Sequence, residues 1–277
     1  MHLIMILFAL GCAFLLRFAQ LYFSSNWRQR WQKSLFLFIF PPLILLTTAL
    51  AVLCMGTSGE MLGLQASWFS YILAMAFLGS AVFSLLKLGY QAWRSMQKIA
   101  TYPQKYIAGK LVRWLDFESP YSAQIGLWRP ELVVSKGLLD TLDKAQLEAV
   151  FAHEQAHFDC RDTFYFFWMG WLYSFTAWLP NSEILWQDLL LCREIRADRI
   201  ATKQVDALVL AESLLAVAKA PMKSSASFCT PFYTNRLPLR IEALLADSEP
   251  AITTTNWWFW SGLVLAMLPW ATIPFHY

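Results

Sequence analysis

Four long apolar runs limit what this chain of 277 residues can become. They cover about 3–23, 35–55, 68–90 and 257–275, and each is close to the roughly 20 residues that a helix needs to cross a bilayer. Arg17 and Lys87 lie near the ends of the first and third runs, where a long cationic side chain can reach back toward water. The last run carries no charge at all. With 57% hydrophobic and only 15% charged residues, the composition is that of a membrane protein with room for one further domain, not two large soluble ones. A net charge of +3 gives no reason to expect direct nucleic-acid binding.

The loops set an orientation. Asn26–Ser34, between the first two runs, carries Arg28, Arg30 and Lys33 and no acid, whereas Gly56–Ser67 carries only Glu60. The positive-inside rule then predicts a cytoplasmic first loop, an external second loop and an external N-terminus. Residues 91–255 fall on the cytoplasmic side of an inner (plasma) membrane, and a fourth span at 256–277 ends in a short external tail. The first run has no basic leader and no clear small-residue cleavage site, so it reads as an uncleaved anchor. Trp257, Trp258, Trp260 and Trp270 suit interface anchors. The cysteines show no paired spacing, which fits a reducing compartment.

Within 91–255, Ile107–Asp116 and Ala123–Ser135 predict short strands around turn signals at Gly126 and Pro130. Glu131–Ser135 is expected to be an edge strand. A helix is expected to start near Asp143, with Gln146 in a capping-box position. Leu147, Val150, Phe151 and Phe158 form its apolar stripe. The uncharged stretch near 163–180 is broken by Pro180 and Asn181 and reads as an interfacial or re-entrant helix.

The chemistry sits in that capped helix, at His153-Glu154-Gln155-Ala156-His157. This H-E-x-x-H spacing puts two imidazoles one turn apart on one face, with a carboxylate beside the first. It suits a Zn2+ site in which the two histidines are ligands and Glu154 is the base for the water that the metal activates. The chain has only four histidines, and the predicted topology puts His2 and His276 outside. The third ligand is therefore expected to be a carboxylate or a cysteine. Glu194 and Asp198 share a helical face at i, i+4, so that one can bind metal while the other accepts the second ring N–H of a histidine. Cys160 and Cys192 read as buried thiols. Asp159 and Asp162 follow His157 too closely for easy tetrahedral closure. The oxyanion of the transition state needs a further electrophile, for which Tyr233, Arg236 and Arg240 are candidates.

These residues resemble the gluzincin pattern, and more closely the BlaR/MecR-type antirepressor zinc metallopeptidases of bacterial membranes. The likeness runs through GLWRPELVVSKGLLDTLDKAQLEAVFAHEQAHFDCRD at 126–162, through WLPN at 178–181, through REIRADRIA at 193–201 and through PLRIEALL at 238–245. It implies His153, His157 and Glu194 as zinc ligands, Glu154 as catalytic general base and Asp198 as the support of a ligand. The turn reads Trp-Leu-Pro-Asn instead of that family's Trp-aromatic-Asn-Pro, and Cys192 replaces a more polar residue. Only His276 and Tyr277 follow the last run, so the family's C-terminal β-lactam sensor is not expected.

The expected fold is a mainly α membrane protein: four transmembrane helices with a cytoplasmic α+β zincin-like metallopeptidase domain. The expected function is cleavage of a cytoplasmic regulatory protein, by resemblance a transcriptional repressor, in signal transduction. The alternatives are a quality-control membrane metalloprotease that degrades misfolded proteins and a non-catalytic signalling scaffold. The intact Glu154 speaks against the scaffold, because a structural zinc site has no use for it.

Overall fold

A computed structural model describes residues 2–18, 27–57, 60, 61, 64, 65, 68–220, 236–246 and 257–275. The structure is mostly helical with two small sheets, and it divides into two compact units. Unit 1 comprises Met1–Leu88, Trp168–Leu190 and Pro250–Tyr277; unit 2 comprises Gly89–Phe167 and Leu191–Glu249.

Unit 1 is built on α1 (His2–Phe18) and α2 (Trp27–Met55). Ala9 and Ala13 of α1 let its backbone approach Phe40, Ile44 and Leu45 of α2. After a two-residue hairpin, β1 (Glu60–Met61) and β2 (Leu64–Gln65), comes α3 (Trp68–Ala100). At 33 residues, α3 is about 50 Å long, some ten residues beyond its expected end at 90. Helices α2 and α3 are long and apolar enough to cross a membrane. Helix α1, with 17 residues, is shorter, and residues 19–23 of the first apolar run lie outside the described residues. The last run does not form one helix: α10 (Trp257–Leu265) gives way to a 3₁₀ helix, Leu268–Phe275. Pro269, which has no N–H to donate, stands at that change.

Two expectations for this unit are corrected. Arg17 does not reach back to water: it is buried, it donates to the Phe38 carbonyl at 3.2 Å, and its guanidinium lies 5.6 Å from the Phe38 ring. The basic stretch after residue 26 is not a loop, because α2 begins at Trp27. There Arg30 and Ser34 both bond the buried carboxylate of Asp188, which draws them inward.

Unit 2 holds a four-stranded sheet in the order β3-β4-β6-β5, formed by β3 (Gln104–Ile107), β4 (Lys110–Leu115), β5 (Ser122–Ile125) and β6 (Glu131–Ser135). Strand β6 pairs in parallel with β4 and antiparallel with β5. Glu131–Ser135 is therefore an inner strand, not the expected edge. Val133 and Val134 explain this: they point to opposite faces and both are buried, as a strand covered on two sides requires. The edge on that side is β5. At the far edge, β3 and β4 form a hairpin closed by Ala108 (φ 46) and Gly109 (φ 76), the two positive φ values of a type I′ turn.

From β6 the chain passes into α4 (Lys136–Thr141), where Gly137 lets the backbone touch a neighbour. A Cβ there would lie 1.9 Å from the carbonyl oxygen of Glu118. Helix α5 (Lys144–Asp159) then starts with the full capping box: Asp143 accepts from the Gln146 N–H, and the Gln146 side chain accepts from the Asp143 N–H. Leu147, Val150 and Phe151 pack on Val112, Leu132 and Val134 of the sheet, while Ala149 and Ala152 pack against Leu210 and Ala211 of α8 (Ala207–Lys219). Phe158, expected in this stripe, is 44% exposed. Replacing Asp143 by alanine is expected to lower stability by about 1 kcal/mol, read from the thermal midpoint of the purified chain, whereas asparagine should preserve it.

Candidate metal centre

Helix α5 ends at a tight turn in which Arg161 has φ 52, and α6 (Asp162–Thr176) follows at once. After a second turn at Asn181, φ 57, α7 (Ser182–Ala201) begins. The stretch near 163–180 is thus a 15-residue helix and a turn, not one continuous crossing. The second half of α7 belongs to the same unit as α5. It brings Glu194 to the two histidines, so that one ligand atom from each of the three residues lies within 4.8 Å of the others.

Each imidazole is held from behind. His157 Nδ1 is 2.7 Å from Asp162 Oδ2, and Arg196 bonds the other oxygen of Asp162. His153 Nδ1 is 2.8 Å from Asp198 Oδ1, and Arg240 grips Asp198 through Nε and Nη2 at 2.8 and 2.7 Å. This second His–Asp contact has the distance of an ion pair but not the direction of a good hydrogen bond. Charge attraction does not depend on that angle, so the pair still interacts. With both Nδ1 atoms occupied, the two Nε2 atoms face each other at 3.0 Å and lie 3.5 and 3.7 Å from the Glu194 oxygens. Two nitrogens bound tetrahedrally to one ion at about 2.0–2.1 Å would be a little over 3 Å apart, so the donor set fits a divalent metal.

Burial makes these charges interdependent. His153, Glu194, Asp198 and Asp162 are all buried. Burial disfavours the imidazolium of His153, but the charge and contact of Asp198, with Glu194, outweigh it and push its pKa up to about 9. His157 is raised too, against its own burial, by Glu194 and Asp162. Burial alone would raise Glu194; Arg193, His157 and Arg240 instead hold it well below the ordinary carboxylate range. In the metal-free protein, the stabilisation from His153 is complete below its usual value of 6.5 and disappears as pH rises through about 9. A metal must displace that proton.

Glu154 stands apart from the donor set. Ser122 Oγ on β5 donates to its Oε1 at 2.8 Å, and Gln124 Nε2 donates to its backbone carbonyl at 3.3 Å. A carboxylate held this way beside the histidines, with one oxygen free of Ser122, is placed to move a proton.

The residues expected from the sequence fall into three groups. His153, Glu154, His157, Glu194 and Asp198 come together. Arg240 also reaches the site, but it is buried against Asp198 and 3.3 Å from Glu194 Oε2. It braces ligands and is not aimed at an oxyanion. Arg236 is the half-buried residue before α9 (Leu237–Leu245), and Tyr233 and His276 lie outside the described residues. Sequence reasoning treated Asp162 only as a poor metal ligand and missed its hold on His157, along with Ser122 and Arg196. Asp159, considered with it, instead accepts from Gln155 at 2.9 Å.

Residues 120–216 match the model of Peptidase family M48. The match covers about a third of the chain, from just before β5 into α8, and it includes His153, Glu154, His157 and Glu194. It supports a metallopeptidase and leaves the narrower antirepressor likeness resting on the sequence motifs. No curated protein and no solved structure matches the chain.

Three substitutions test this geometry. Asp162→Asn is expected to weaken metal binding about 10–100-fold in chelator competition, and Asp159→Asn to leave it unchanged. Arg240→Ala exposes two buried carboxylates to each other and should cost about 3–5 kcal/mol of metal-free stability in denaturant unfolding. An unchanged midpoint would return Arg240 to the role of an oxyanion partner.

Proposed function

We propose that this chain is a membrane-embedded, zinc-dependent endopeptidase that cuts a cytoplasmic regulatory protein, by resemblance a transcriptional repressor, at the inner face of a plasma membrane. One observation carries the peptidase reading. Two helical histidines and a glutamate from a second helix present ligand atoms to one point, while Glu154 is kept out of that set and fixed by Ser122. A purely structural site would have closed its fourth position with another ligand.

Zinc at His153, His157 and Glu194 would polarise the scissile carbonyl and bring the attacking water's pKa down to about 7. This chain's residues do the rest. Glu154 takes the water's proton and returns it to the leaving nitrogen, and the Ser122 hydroxyl holds one of its oxygens so that the other faces the reacting atoms. The Asp162 hydrogen bond to His157 Nδ1 and the charge of Asp198 beside His153 Nδ1 favour a proton on those nitrogens, which turns both Nε2 atoms toward the metal. The open side of β5, two residues of which touch Glu154, is the edge on which an extended substrate would align as an added strand.

Membrane embedding is supported by the two long apolar helices, α2 and α3, of which α3 leaves most of its apolar surface uncovered. Arg28, Arg30 and Lys33 remain close enough to the end of the first apolar run to count toward a cytoplasmic orientation.

Cells carrying Glu154→Gln in place of the wild type separate the readings. The purified variant should keep its metal and lose peptidase activity by about 100-fold or more. In cells, one regulatory protein should then persist uncut. Accumulation of many damaged membrane proteins instead would favour a quality-control role, and an unchanged proteome and signalling output would favour a scaffold.

A further inference from the structure

A cavity of about 330 Å³ opens in unit 2 beside the proposed base, and the chemistry above does not use it. Val112 and Leu132 of the sheet line it together with Gln155 and Phe158 of α5. Gln124 joins it to the centre, since the same side chain lines the cavity and donates to the Glu154 carbonyl. Its size is at the low end for ligand pockets and suits one long side chain better than a whole small molecule.

Three charged residues line this space: Lys110, Arg113 and Glu131. Arg113 and Glu131 neutralise each other through a two-point pair, with Nη2 to Oε1 at 3.1 Å. Lys110 is different. Among the described residues its Nζ hydrogen-bonds neutral oxygens, the Phe151 carbonyl at 3.2 Å and Gln155 Oε1 at 3.3 Å, and lies 5.9 Å from the Phe151 ring. An ammonium carries three donors, so one is left over. Burial lowers the Lys110 pKa, and the charges of Asp159 and Glu154 oppose that without either acid bonding it. Both acids are engaged elsewhere, Asp159 by Gln155 and Glu154 by Ser122. Among the described residues, Gln124 Oε1 is also buried with no hydrogen-bond partner.

We propose that this cavity is a specificity subsite that selects substrates with an acidic side chain beside the cleaved bond, and that Lys110 is its ion-pair partner. The proposal rests on the peptidase reading above. A neutral amide of the same length would fill the space and meet the leftover donor, but only a carboxylate balances the charge of Lys110. Pairing a half-buried ammonium in this way strengthens discrimination more than the same pair would in open solvent.

The test uses the full-length, metal-loaded chain in detergent and peptides scanned with Glu, Gln or Lys at each position flanking the cut. At one position Glu should exceed Gln by about tenfold in kcat/KM, the ratio for roughly one well-placed charge pair. The ratio should fall to near unity in Lys110→Gln, persist in Lys110→Arg and turn toward Lys in Lys110→Glu. Equal rates for the Glu and Gln peptides in the wild type, or a preference untouched by Lys110→Glu, would overturn the subsite. Anisotropy of the same labelled peptides on Glu154→Gln protein reads selectivity without turnover. Acid-selective binding with no cleavage by the wild type would reject the peptidase and keep the subsite; cleavage without acid selectivity would do the reverse.

Discussion

Three carboxylates, Asp162, Glu194 and Asp198, are buried inside unit 2, and the proposed chemistry depends on the cations set against them. Taking such groups out of water costs several kcal/mol each unless cations and hydrogen bonds replace the lost solvent. Here each has an arginine against it: Arg196 on Asp162, Arg193 on Glu194, and Arg240 on Asp198. The arginines therefore come first in the causal order. They hold Glu194 and Asp198 below the ordinary carboxylate range and anchor Asp162, the aspartates turn the imidazoles, and the imidazoles show their Nε2 atoms to one point. Removing an arginine would undo the next two steps without touching a ligand.

Glu154 obeys a different logic. It shares α5 with the histidines but takes its partner from the sheet, through the Ser122 hydroxyl. The base is thus tied to β5, the edge strand of the sheet among the described residues. Proton transfer and substrate alignment would share one element, and Gln124, two residues on, carries the same connection into the Lys110 cavity. This explains why α5 needs two packing faces. Leu147, Val150 and Phe151 seat it on the sheet, while Ala149 and Ala152 admit α8.

Much of this was legible in the sequence because it depends on short-range spacing. The H-E-x-x-H turn, the Asp143–Gln146 capping box and the Glu194–Asp198 face are fixed by helical geometry within five residues, and all form as read. Errors arose where tertiary partners decide. The β3–β4 hairpin was missed at its start because Ala-Gly, not Asn-Gly, makes its turn. Glu131–Ser135 was placed at an edge although its run of apolar residues is the pattern of an inner strand. Arg17 is expected to reach water and Arg30 to lie in a loop, but a carbonyl from α2 and the carboxylate of Asp188 hold them. Ser122, Asp162 and Arg196 left no local signal, since their roles come from contacts made only after folding. The last apolar run showed length without continuity, and Pro269 marks where its helix gives out.

The account stands or falls on three donors sharing one ion. X-ray absorption at the zinc edge of the purified full-length chain, wild type and Glu194→Gln, tests this most directly. The wild type should hold one equivalent of zinc with two imidazole nitrogens at about 2.0–2.1 Å and a carboxylate oxygen at about 2.0–2.2 Å; the variant should lose that oxygen and most of the metal. Stoichiometric zinc with an identical spectrum in both proteins, or no bound metal in the wild type, would contradict it.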